Sequence, residues 1–278
     1  MRSFALLLAC WLLGACSLLV STDDLASAAG TDAGGGAPDD AGADALASPQ
    51  DGATLDGDAG PFCARRSATF CADFSSGGVP ENGWSRSDLN GGALDIVVEG
   101  PSPPALRASL TGRTGDKAAR LHHDLPSLPS EVHVEVDVLA AAAPPNLREV
   151  LKLELPTSHE TGAAPGYAAA GLEVQLFGNE LKVLHERFDS SGTPHAELYS
   201  AATPFPAGAW AHVELDAVLS TTNGSFQVKV DGASVISKSD VPTLPDEPVG
   251  ARLVVGTFAF DLPAPTVDLF DNVLLDAK

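Results

Sequence analysis

The chain has 278 residues, a formal net charge of −21 at pH 7 and a sequence pI of about 4.4. This acidic balance argues against nucleic acid or anionic lipid as a partner of the folded part, because both need a basic surface. It is compatible with neutral glycans, proteins or calcium. Residues 61–278 are numerous enough for one sizeable core, and all-β sandwiches of this size commonly form a single domain.

The first segment of the chain has the pattern of an export signal. Arg2 precedes an apolar run from Phe4 to Leu13, and small residues follow at Gly14 and Ala15. Such a segment is typical of a secretory signal peptide and is too short to span a bilayer permanently. The four residues that end at Cys16 resemble the lipobox of bacterial lipoproteins, in which cleavage before the Cys leaves an acylated Cys as the membrane anchor.

This resemblance implies a signal peptide over residues 1–15 and a lipid bilayer as the partner of acylated Cys16. Two or more acyl chains hold a protein firmly, since each buried methylene contributes roughly 0.8 kcal/mol. The alternatives are an ordinary cut without lipidation, or lipidation at Cys10, which leaves a shorter apolar run than signal peptides usually have. Ser17 follows Cys16 where enterobacterial inner-membrane lipoproteins have Asp, so the outer membrane or cell surface is the expected location.

The next segment has the composition of a flexible tether. Residues 21–60 contain nine Asp and three Leu, with no aromatic residue, Lys or Arg. Such a segment cannot bury enough apolar surface to fold, and repulsion between the carboxylates keeps it extended, with ends roughly 35 Å apart. We therefore expect a disordered tether over residues 16–60 and one domain over 61–278. The alternative, an acidic segment that binds calcium or a basic partner, lacks the alternating spacing of a calcium loop.

Two cysteines, Cys63 and Cys71, belong to the exported domain. An oxidising compartment favours a disulfide between them, and the small closed loop contributes roughly 2–3 kcal/mol if it is unstrained. A metal site built on these two thiolates is the alternative. It is disfavoured because no His or further Cys lies close by in sequence.

The dominant hydrophobic period of the domain is two. Apolar and polar residues alternate over 131–139, 151–155, 172–176 and 226–230, with Gly- and Pro-rich breaks between these segments. No helical period of convincing length appears beyond the signal. Short strands with such punctuation predict an all-β fold, a two-sheet antiparallel sandwich.

Several motifs in order resemble one superfamily. Gly208-Ala209-Trp210-Ala211-His212-Val213 is followed about 20 residues later by Val230-Asp231-Gly232, whose Asp-Gly pair is typical of a type I′ hairpin. Cys71-Ala72-Asp73-Phe74 leads to Gly83-Trp84-Ser85 near the start, and Leu269-Phe270-Asp271-Asn272-Val273 lies near the end. Together they resemble the concanavalin A-like lectin and glucanase superfamily, in particular its laminin G-like branch, over about residues 70–276. The resemblance implies a jelly-roll sandwich.

A calcium site is implied by the same resemblance. Calcium near the first and last strands recurs in the superfamily, which would make Asp73 and Asp271 its side-chain ligands. The sequence supports this in part, because Asp271 points with valines and leucines in a closing strand that is apolar on both faces, where an unpaired carboxylate is costly. The alternative is that backbone N–H groups satisfy Asp271 without a metal, so no cofactor is required.

No complete catalytic motif appears in the sequence. Glu135 and Asp137 share a strand face about 6.6 Å apart, a spacing that glycosidic hydrolysis permits. However, family 16 glucanases, which have this fold, carry a third carboxylate where this chain has Leu139 and Ala140. We therefore expect no catalytic residue and no enzyme, and interpret these two carboxylates as part of a solvated strand face.

The remaining polar residues offer no clearer site. Glu149, Glu154 and Glu160 show no recognisable spacing, and the adjacent His122 and His123 would point to opposite faces of a strand.

Sugar binding often uses exposed aromatic side chains. Trp84 and Trp210 occupy positions that look structural in the resembled family, which leaves Tyr167 and Tyr199 as candidate ligand-binding residues. The function expected from sequence is a membrane-tethered envelope lipoprotein that displays a non-catalytic binding or adhesion module for glycan or protein. The alternatives are an envelope glycan hydrolase or lyase of the same fold, and a structural surface-coat protein.

Overall fold

The computed structural model describes residues 61–75, 78–141, 147–158 and 170–278. The predicted signal peptide over 1–15, Cys16, the predicted tether over 16–60 and Tyr167 lie outside the described residues. All described residues belong to one compact unit, Leu55–Lys278. Among them, no helix has the length and apolarity needed to cross a membrane.

The described residues form one short 3-10 helix, Phe62–Arg65, and fifteen strands. The strands are β1 (Phe70–Ala72), β2 (Arg86–Asp88), β3 (Gly92–Val97), β4 (Ala105–Leu110), β5 (Arg113–Asp124), β6 (Glu131–Ala140), β7 (Leu147–Glu154), β8 (Gly171–Phe177), β9 (Glu180–Phe188), β10 (Pro194–Ser200), β11 (Trp210–Val218), β12 (Gly224–Val230), β13 (Ala233–Val241), β14 (Arg252–Leu262) and β15 (Thr266–Ala277).

The strands form two antiparallel sheets. Sheet A has the order β13-β12-β11-β6-β15-β4-β3, and β1 pairs with β15 beside this path. Sheet B has the order β10-β9-β8-β7-β14-β5-β2. The predicted all-β two-sheet sandwich is therefore confirmed. Below, the inner face of each sheet is the one that meets the other sheet, and the outer face is the opposite one.

Period-two alternation builds the inner faces. In β6 the valines are buried while the intervening polar residues are partly exposed, and β11 has the same pattern. The core contains Val134, Val136, Leu151, Leu153 and Val174, all fully buried. Burial of each such side chain stabilises the fold by roughly 1.5–3 kcal/mol relative to exposure.

The turn between β12 and β13 lies at Asp231 and Gly232, as predicted from the sequence. Both residues have positive φ angles, 51° and 76°. Gly232 adopts this conformation without steric cost, and Asp tolerates it better than most residues. The sequence signal for this hairpin is therefore confirmed by the backbone.

The two ends of the domain lie side by side in sheet A. In β1, Phe70 pairs with Leu275 of β15, and Cys71 pairs with Leu274. Cys71 also forms a disulfide with Cys63, in the 3-10 helix that precedes β1, and their Cα atoms lie 5.7 Å apart. The covalent loop thus closes the N-terminal edge of the domain against its last strand.

One ion pair lies in the middle of the core. Arg148 and Asp268 are both completely buried, and Arg148 Nη1 donates to Asp268 Oδ1 over 2.6 Å. Thr257 Oγ1 and Ala141 N also donate to the carboxylate, and Arg148 Nη1 donates to Thr266 Oγ1. These hydrogen bonds make the burial of two charges tolerable.

Candidate functional site

The outer face of sheet B carries a set of charged and polar side chains, several of which are withdrawn from water. The set comprises Arg86 and Asp88 of β2, Arg120 and His122 of β5, Arg252 of β14, Glu149, Lys152 and Glu154 of β7, Glu173 and Gln175 of β8, and Lys182 and Glu186 of β9. Six members are 13% exposed or less. As whole residues, Glu149 is 5%, Lys152 7%, Glu173 7%, His122 4% and Gln175 3% exposed, and the side chain of Glu154 is 13% exposed. Burying charges is costly, and clusters of this kind are concentrated at functional sites.

A β-bulge in β7 assembles the middle of this face. Glu149 pairs with Gln175, but the next register pair is Leu151 with Val174, which leaves Val150 as the extra residue. Strict alternation would turn Glu149 toward the core together with Leu151. The bulge instead places Glu149 on the same outer face as Lys152. Glu149 therefore belongs to a cluster, although Glu149, Glu154 and Glu160 show no recognisable spacing in the sequence.

The centre of the cluster is an ammonium between carboxylates. Lys152 Nζ donates to Glu173 Oε1 over 2.5 Å, and Gln175 Nε2 donates to Glu173 Oε2 over 2.8 Å. Burial opposes the charge on Lys152, but Glu173 and Glu149 outweigh it and raise the pKa of Lys152. Burial, with the nearby charge of Glu173, raises the pKa of Glu149.

Glu186 stands beside this centre on β9 and is half-buried. It pairs across the ladder with Gly171, and Glu173 lies two residues further along β8 on the same face. Burial, with the like charges of Glu173 and Glu149, raises the pKa of Glu186 to about 7. This group can therefore carry a proton at neutral pH while its neighbour Glu173 has an ammonium partner.

A second centre lies on the same face near β2 and β5. Arg86 is exposed, and its Nη2 lies 3.4 Å from His122 Nδ1. Burial, reinforced by the positive charges of Arg86 and Arg120, lowers the pKa of His122 to about 3, so the imidazole is neutral. Arg120 and Arg252 each bind carboxylates, whereas within the described ranges Arg86 has no carboxylate within salt-bridge distance.

His123 points to the opposite face of the strand from His122, as expected for adjacent strand residues. Its ring stacks on that of Phe70, with the ring centroids 3.8 Å apart.

The pair Glu135 and Asp137 lies on the outer face of sheet A, in a chain of hydrogen-bonded groups that we call the histidine ladder. His133 Nδ1 lies 2.7 Å from Asp216 Oδ1, and His133 Nε2 lies 3.0 Å from Glu135 Oε1. His212 Nδ1 lies 2.7 Å from Asp137 Oδ1, and its Nε2 lies 3.8 Å from Glu135 Oε2. Both carboxylates thus have imidazole partners, and with side chains only 13% and 14% exposed they are less solvated than the sequence interpretation expected.

Part of this ladder has the residue types of a metal site. One ligand atom each of His133, Glu214 and Asp216 lie within 4.8 Å of one another. However, Lys229 Nζ lies 2.9 Å from Glu214 Oε2 and 3.0 Å from Asp216 Oδ2. The ammonium already supplies the positive charge at this position, so the cluster is best described as an ion-pair network.

The histidine ladder predicts a pH dependence of stability. Burial opposes the charge on His133, but hydrogen bonds to Glu135 and Asp216 outweigh it and raise its pKa, and the hydrogen bond to Asp137 raises the pKa of His212. A raised pKa stabilises the fold fully below about pH 6.5, and this contribution is lost as the pH rises through the folded-state value.

We therefore expect the double variant His133→Gln/His212→Gln to be less stable than the wild type at pH 5.5, by about 1 kcal/mol for such half-exposed, salt-screened pairs. The difference should shrink at pH 9. Urea denaturation of the wild type and of the double variant at the two pH values measures this difference. A difference that grows with pH would contradict the assignment of two protonated imidazoles.

The predicted calcium ligands lie together where the first and last strands meet. Asp271 is completely buried, and the backbone N–H groups of Ser102 and Asn272 donate to it. Asp73 is also buried and accepts from Cys63 N and from Ser75 N and Oγ. Despite the two N–H donors, burial raises the pKa of Asp271 to about 7, and the negative charges of Asp137 and Asp73 contribute.

Two further features describe the surroundings of Asp271. Within the described residues, the buried Oδ1 atom of Asn272 has no hydrogen-bond partner. A Cβ added to Gly100 would lie 2.7 Å from Asp271 Oδ2, so the loop backbone closes directly over the carboxylate. Carboxylate and amide oxygens are ligand types that Ca²⁺ takes, whereas the Gly100 backbone occupies the space directly over Asp271 Oδ2.

Of the two tyrosines predicted to bind ligand, only Tyr199 is described. Its ring lies 5.5 Å from that of Phe226, and Lys238 Nζ lies 4.5 Å from its centroid. Its hydroxyl donates to Glu197. Tyr199 pairs with Val183, an inner-face residue of β9, so it lies on the side of sheet B opposite to the charged cluster.

Comparisons with known proteins give structural neighbours but no sequence relatives. No family model and no curated protein matches the chain. By structure, the chain is similar to endo-β-1,4-glucuronan lyase from the fungus Trichoderma reesei, with a TM-score of 0.65 and 17% identity over 76% of this chain and 96% of that one. It is also similar to the cellulose induced protein Cip1, with a TM-score of 0.52 and 16% identity over 75% of this chain and 97% of that one.

A third neighbour is the Bacteroides ovatus mixed linkage glucan PUL GH16, solved with a G4G4G3G product. Its TM-score is 0.53 and its identity 11%, over 74% of this chain and 99% of that one. At these identities the likeness shows the fold, and it confirms the concanavalin A-like jelly roll.

The prediction that the chain is not an enzyme is contradicted by these comparisons. The lyase and the GH16 protein share the fold across 76% and 74% of this chain, respectively. The physical reason for the error is that the buried charged cluster of sheet B depends on a bulge and on strand order, neither of which is visible in a linear motif.

Proposed function

We propose that this chain is a polysaccharide-cleaving enzyme whose active site is the outer face of sheet B. The observation that carries the proposal is the half-buried Glu186, with its pKa raised to about 7, beside Glu173 in its ion pair with Lys152. Two carboxyl groups whose surroundings differ in this way are what acid and base catalysis of glycoside cleavage needs. The fold shared with a glucuronan lyase and a GH16 protein supports the proposal.

The geometry of the two carboxyl groups suits hydrolysis. Glu173 and Glu186 are diagonal neighbours across β8 and β9, which places their Cα atoms roughly 7–8 Å apart. Inverting glycoside hydrolases keep roughly 6.5–9.5 Å between their carboxyl groups, so that a water molecule fits on the far side of the sugar ring. From this backbone spacing the two side chains can reach a carboxyl separation within that range.

The proposed hydrolytic step uses each group once. Glu186 donates its proton to the glycosidic oxygen as the bond to the anomeric carbon breaks. Water forms the new bond to that carbon and loses its proton to Glu173, which Lys152 and Gln175 hold in place. After cleavage Glu173 is protonated and Glu186 is ionised. Proton exchange with solvent restores the starting state of both groups.

A second reaction, β-elimination, is favoured by the Arg86 and His122 centre. A uronate carboxylate can bind the guanidinium of Arg86, which has no carboxylate partner within the described ranges. Uronate binding would draw Arg86 Nη2 away from His122 Nδ1, so that this nitrogen of the neutral imidazole could take the C5 proton. A C4=C5 double bond would form, and the glycosidic oxygen would leave and take up a proton from solvent. Anion binding would weaken the positive field that helps to lower the pKa of His122.

Product analysis separates the two reactions and tests the enzymatic proposal. Residues 61–278 are incubated with soluble neutral β-glucans and uronate polymers, and new reducing ends, ultraviolet absorbance and product masses are followed. Saturated products with one added water mean hydrolysis, and unsaturated ends mean elimination. An unchanged polymer in every incubation would overturn the proposal.

We further propose that a calcium ion is bound beside Asp271, between the first and last strands. Asp271, Asp73 and Asn272 Oδ1 would hold it, and the ion would neutralise carboxylates that the fold brings together. Its contribution would be structural, because Asp271 belongs to sheet A whereas the proposed active site lies on sheet B.

Calcium should therefore stabilise the wild-type domain. At a concentration one hundred times its Kd, a ligand adds about 2.7 kcal/mol, which corresponds to a Tm increase of roughly 5–10 °C for a domain of this size. Thermal denaturation in calcium and in EDTA measures the shift. It should vanish in Asp271→Asn and persist in Asp95→Asn, which alters an exposed carboxylate of sheet A. No shift, or an equal shift in Asp271→Asn, would contradict the proposal.

The location of the enzyme is also a proposal. We infer that acylated Cys16 holds the domain at the outer membrane or cell surface, because the lipobox-like sequence precedes an acidic, Gly-rich segment. A polysaccharide-cleaving domain on such a tether would meet polymers outside the membrane without crossing it.

A further inference from the structure

An exposed aromatic ring lies on the same face of sheet B as the charged cluster. Phe177 ends β8 and is 42% exposed. It follows Glu173 and Gln175 at two-residue steps, so all three side chains project from the same face, each step being about 7 Å. The ring therefore lies about 14 Å along the strand from Glu173, the nearer member of the proposed cleavage pair, so another unit of the same polysaccharide chain can reach it.

The ring has polar groups beside it that suit a hydroxylated ligand. Lys182 Nζ lies 5.1 Å from the centroid of Phe177. Gln175 is 3% exposed, and its Nε2 donates to Glu173, whereas its Oε1 has no hydrogen-bond partner among the described residues. An unpaired buried acceptor is costly, and such atoms call for a specific explanation.

We propose that Phe177, Gln175 and Lys182 form a sugar-binding subsite for a pyranose unit of the polysaccharide. The apolar C–H face of the sugar would pack on the Phe177 ring. One hydroxyl would donate to Gln175 Oε1, and Lys182 Nζ would donate to a second sugar oxygen. The assignment of this subsite to a substrate rests on the proposed function, but its binding of polysaccharide does not require cleavage.

The position of the ring distinguishes it from other exposed apolar side chains. Val267 is 39% exposed on sheet A, and the neighbouring Asp268 points into the core. Isolated surface apolar residues of that kind are normal and need no ligand. Phe177 differs because the orphan acceptor of Gln175 and the ammonium of Lys182 lie on the same face.

Affinity electrophoresis tests the subsite without requiring catalysis. Wild type, Phe177→Ala, Phe177→Trp and Val267→Ala are run in gels that contain glucuronan, mixed-linkage β-glucan or no polymer. We expect at least one polymer to retard the wild type and Phe177→Ala to bind it about ten-fold more weakly, the change that 1.4 kcal/mol produces. Phe177→Trp should retain binding, and Val267→Ala should match the wild type.

The outcomes separate this proposal from the enzymatic one. Equal retardation of wild type and Phe177→Ala, or no retardation of the wild type by either polymer, would overturn the subsite even if cleavage is observed. If binding depends on Phe177 but no product forms, the subsite proposal stands and the proposal of an enzyme is contradicted. If both hold, Phe177→Ala should raise KM about ten-fold and leave kcat unchanged, because Phe177 does not touch the reacting atoms.

Discussion

Replacement of Glu186 by Gln is expected to lower kcat for polysaccharide cleavage by about 10²–10⁴-fold, with little change in KM. Gln has nearly the same shape but cannot donate the proton that the departing oxygen needs. Because burial raises the pKa of Glu186 to about 7, the wild-type rate should fall as the pH rises through that value. Initial rates across this range measure both effects.

Glu180→Gln is the matched control for this prediction. Glu180 lies on the same strand and face as Glu186, but its side chain is 43% exposed and pairs with Lys182. We expect its rate and pH profile to match the wild type. Full activity in Glu186→Gln would show that this residue is not the proton donor, and would leave the Arg86 and His122 centre as the remaining candidate on this face.

Replacement of Asp268 by Ala is expected to destabilise the domain by about 3–5 kcal/mol, because it leaves the guanidinium of Arg148 buried without its carboxylate partner. Both side chains are completely buried, so water cannot replace the lost contact. Urea denaturation measures the change in the free energy of unfolding. The double variant Arg148→Met/Asp268→Leu should recover much of the loss, since replacing both members of a buried pair by apolar groups is often neutral.

An exposed ion pair provides the comparison. Arg107 and Asp95 are about half exposed, at 42% and 50%, and lie 3.0 Å apart. Asp95→Ala should therefore cost less than about 1 kcal/mol. If Asp268→Ala costs no more than Asp95→Ala, the core ion pair is not a determinant of stability.

The fold could be predicted because it depends on local patterns. Alternation over 131–139 specified β6, and the Asp231-Gly232 pair specified the hairpin between β12 and β13. The burial of Asp271 also followed from the sequence, because a closing strand that is apolar on both faces leaves its carboxylate no solvent-facing side. In each case the relevant neighbours lie within a few residues along the chain.

The candidate site could not be predicted because it depends on register and strand order. The bulge at Val150 changes the face from which Glu149 projects, and the local composition does not predict this bulge. Glu173 and Glu186 become neighbours only through the β8 and β9 pairing, and the partner of Arg148 lies 120 residues away. The available signal was the number of charged residues in β7 and β8, including Lys152 and Glu173, because charged side chains need partners where they are buried.

The most direct test of the central claim is the chain length of a polysaccharide after incubation with wild type or Glu186→Gln. Size-exclusion chromatography of neutral β-glucans and uronate polymers measures it under identical conditions. If the outer face of sheet B is a cleavage site, at least one polymer is shortened by the wild type and remains intact with Glu186→Gln. If no polymer is shortened by the wild type, or both proteins shorten it equally, the assignment of cleavage to Glu186 on this face is wrong.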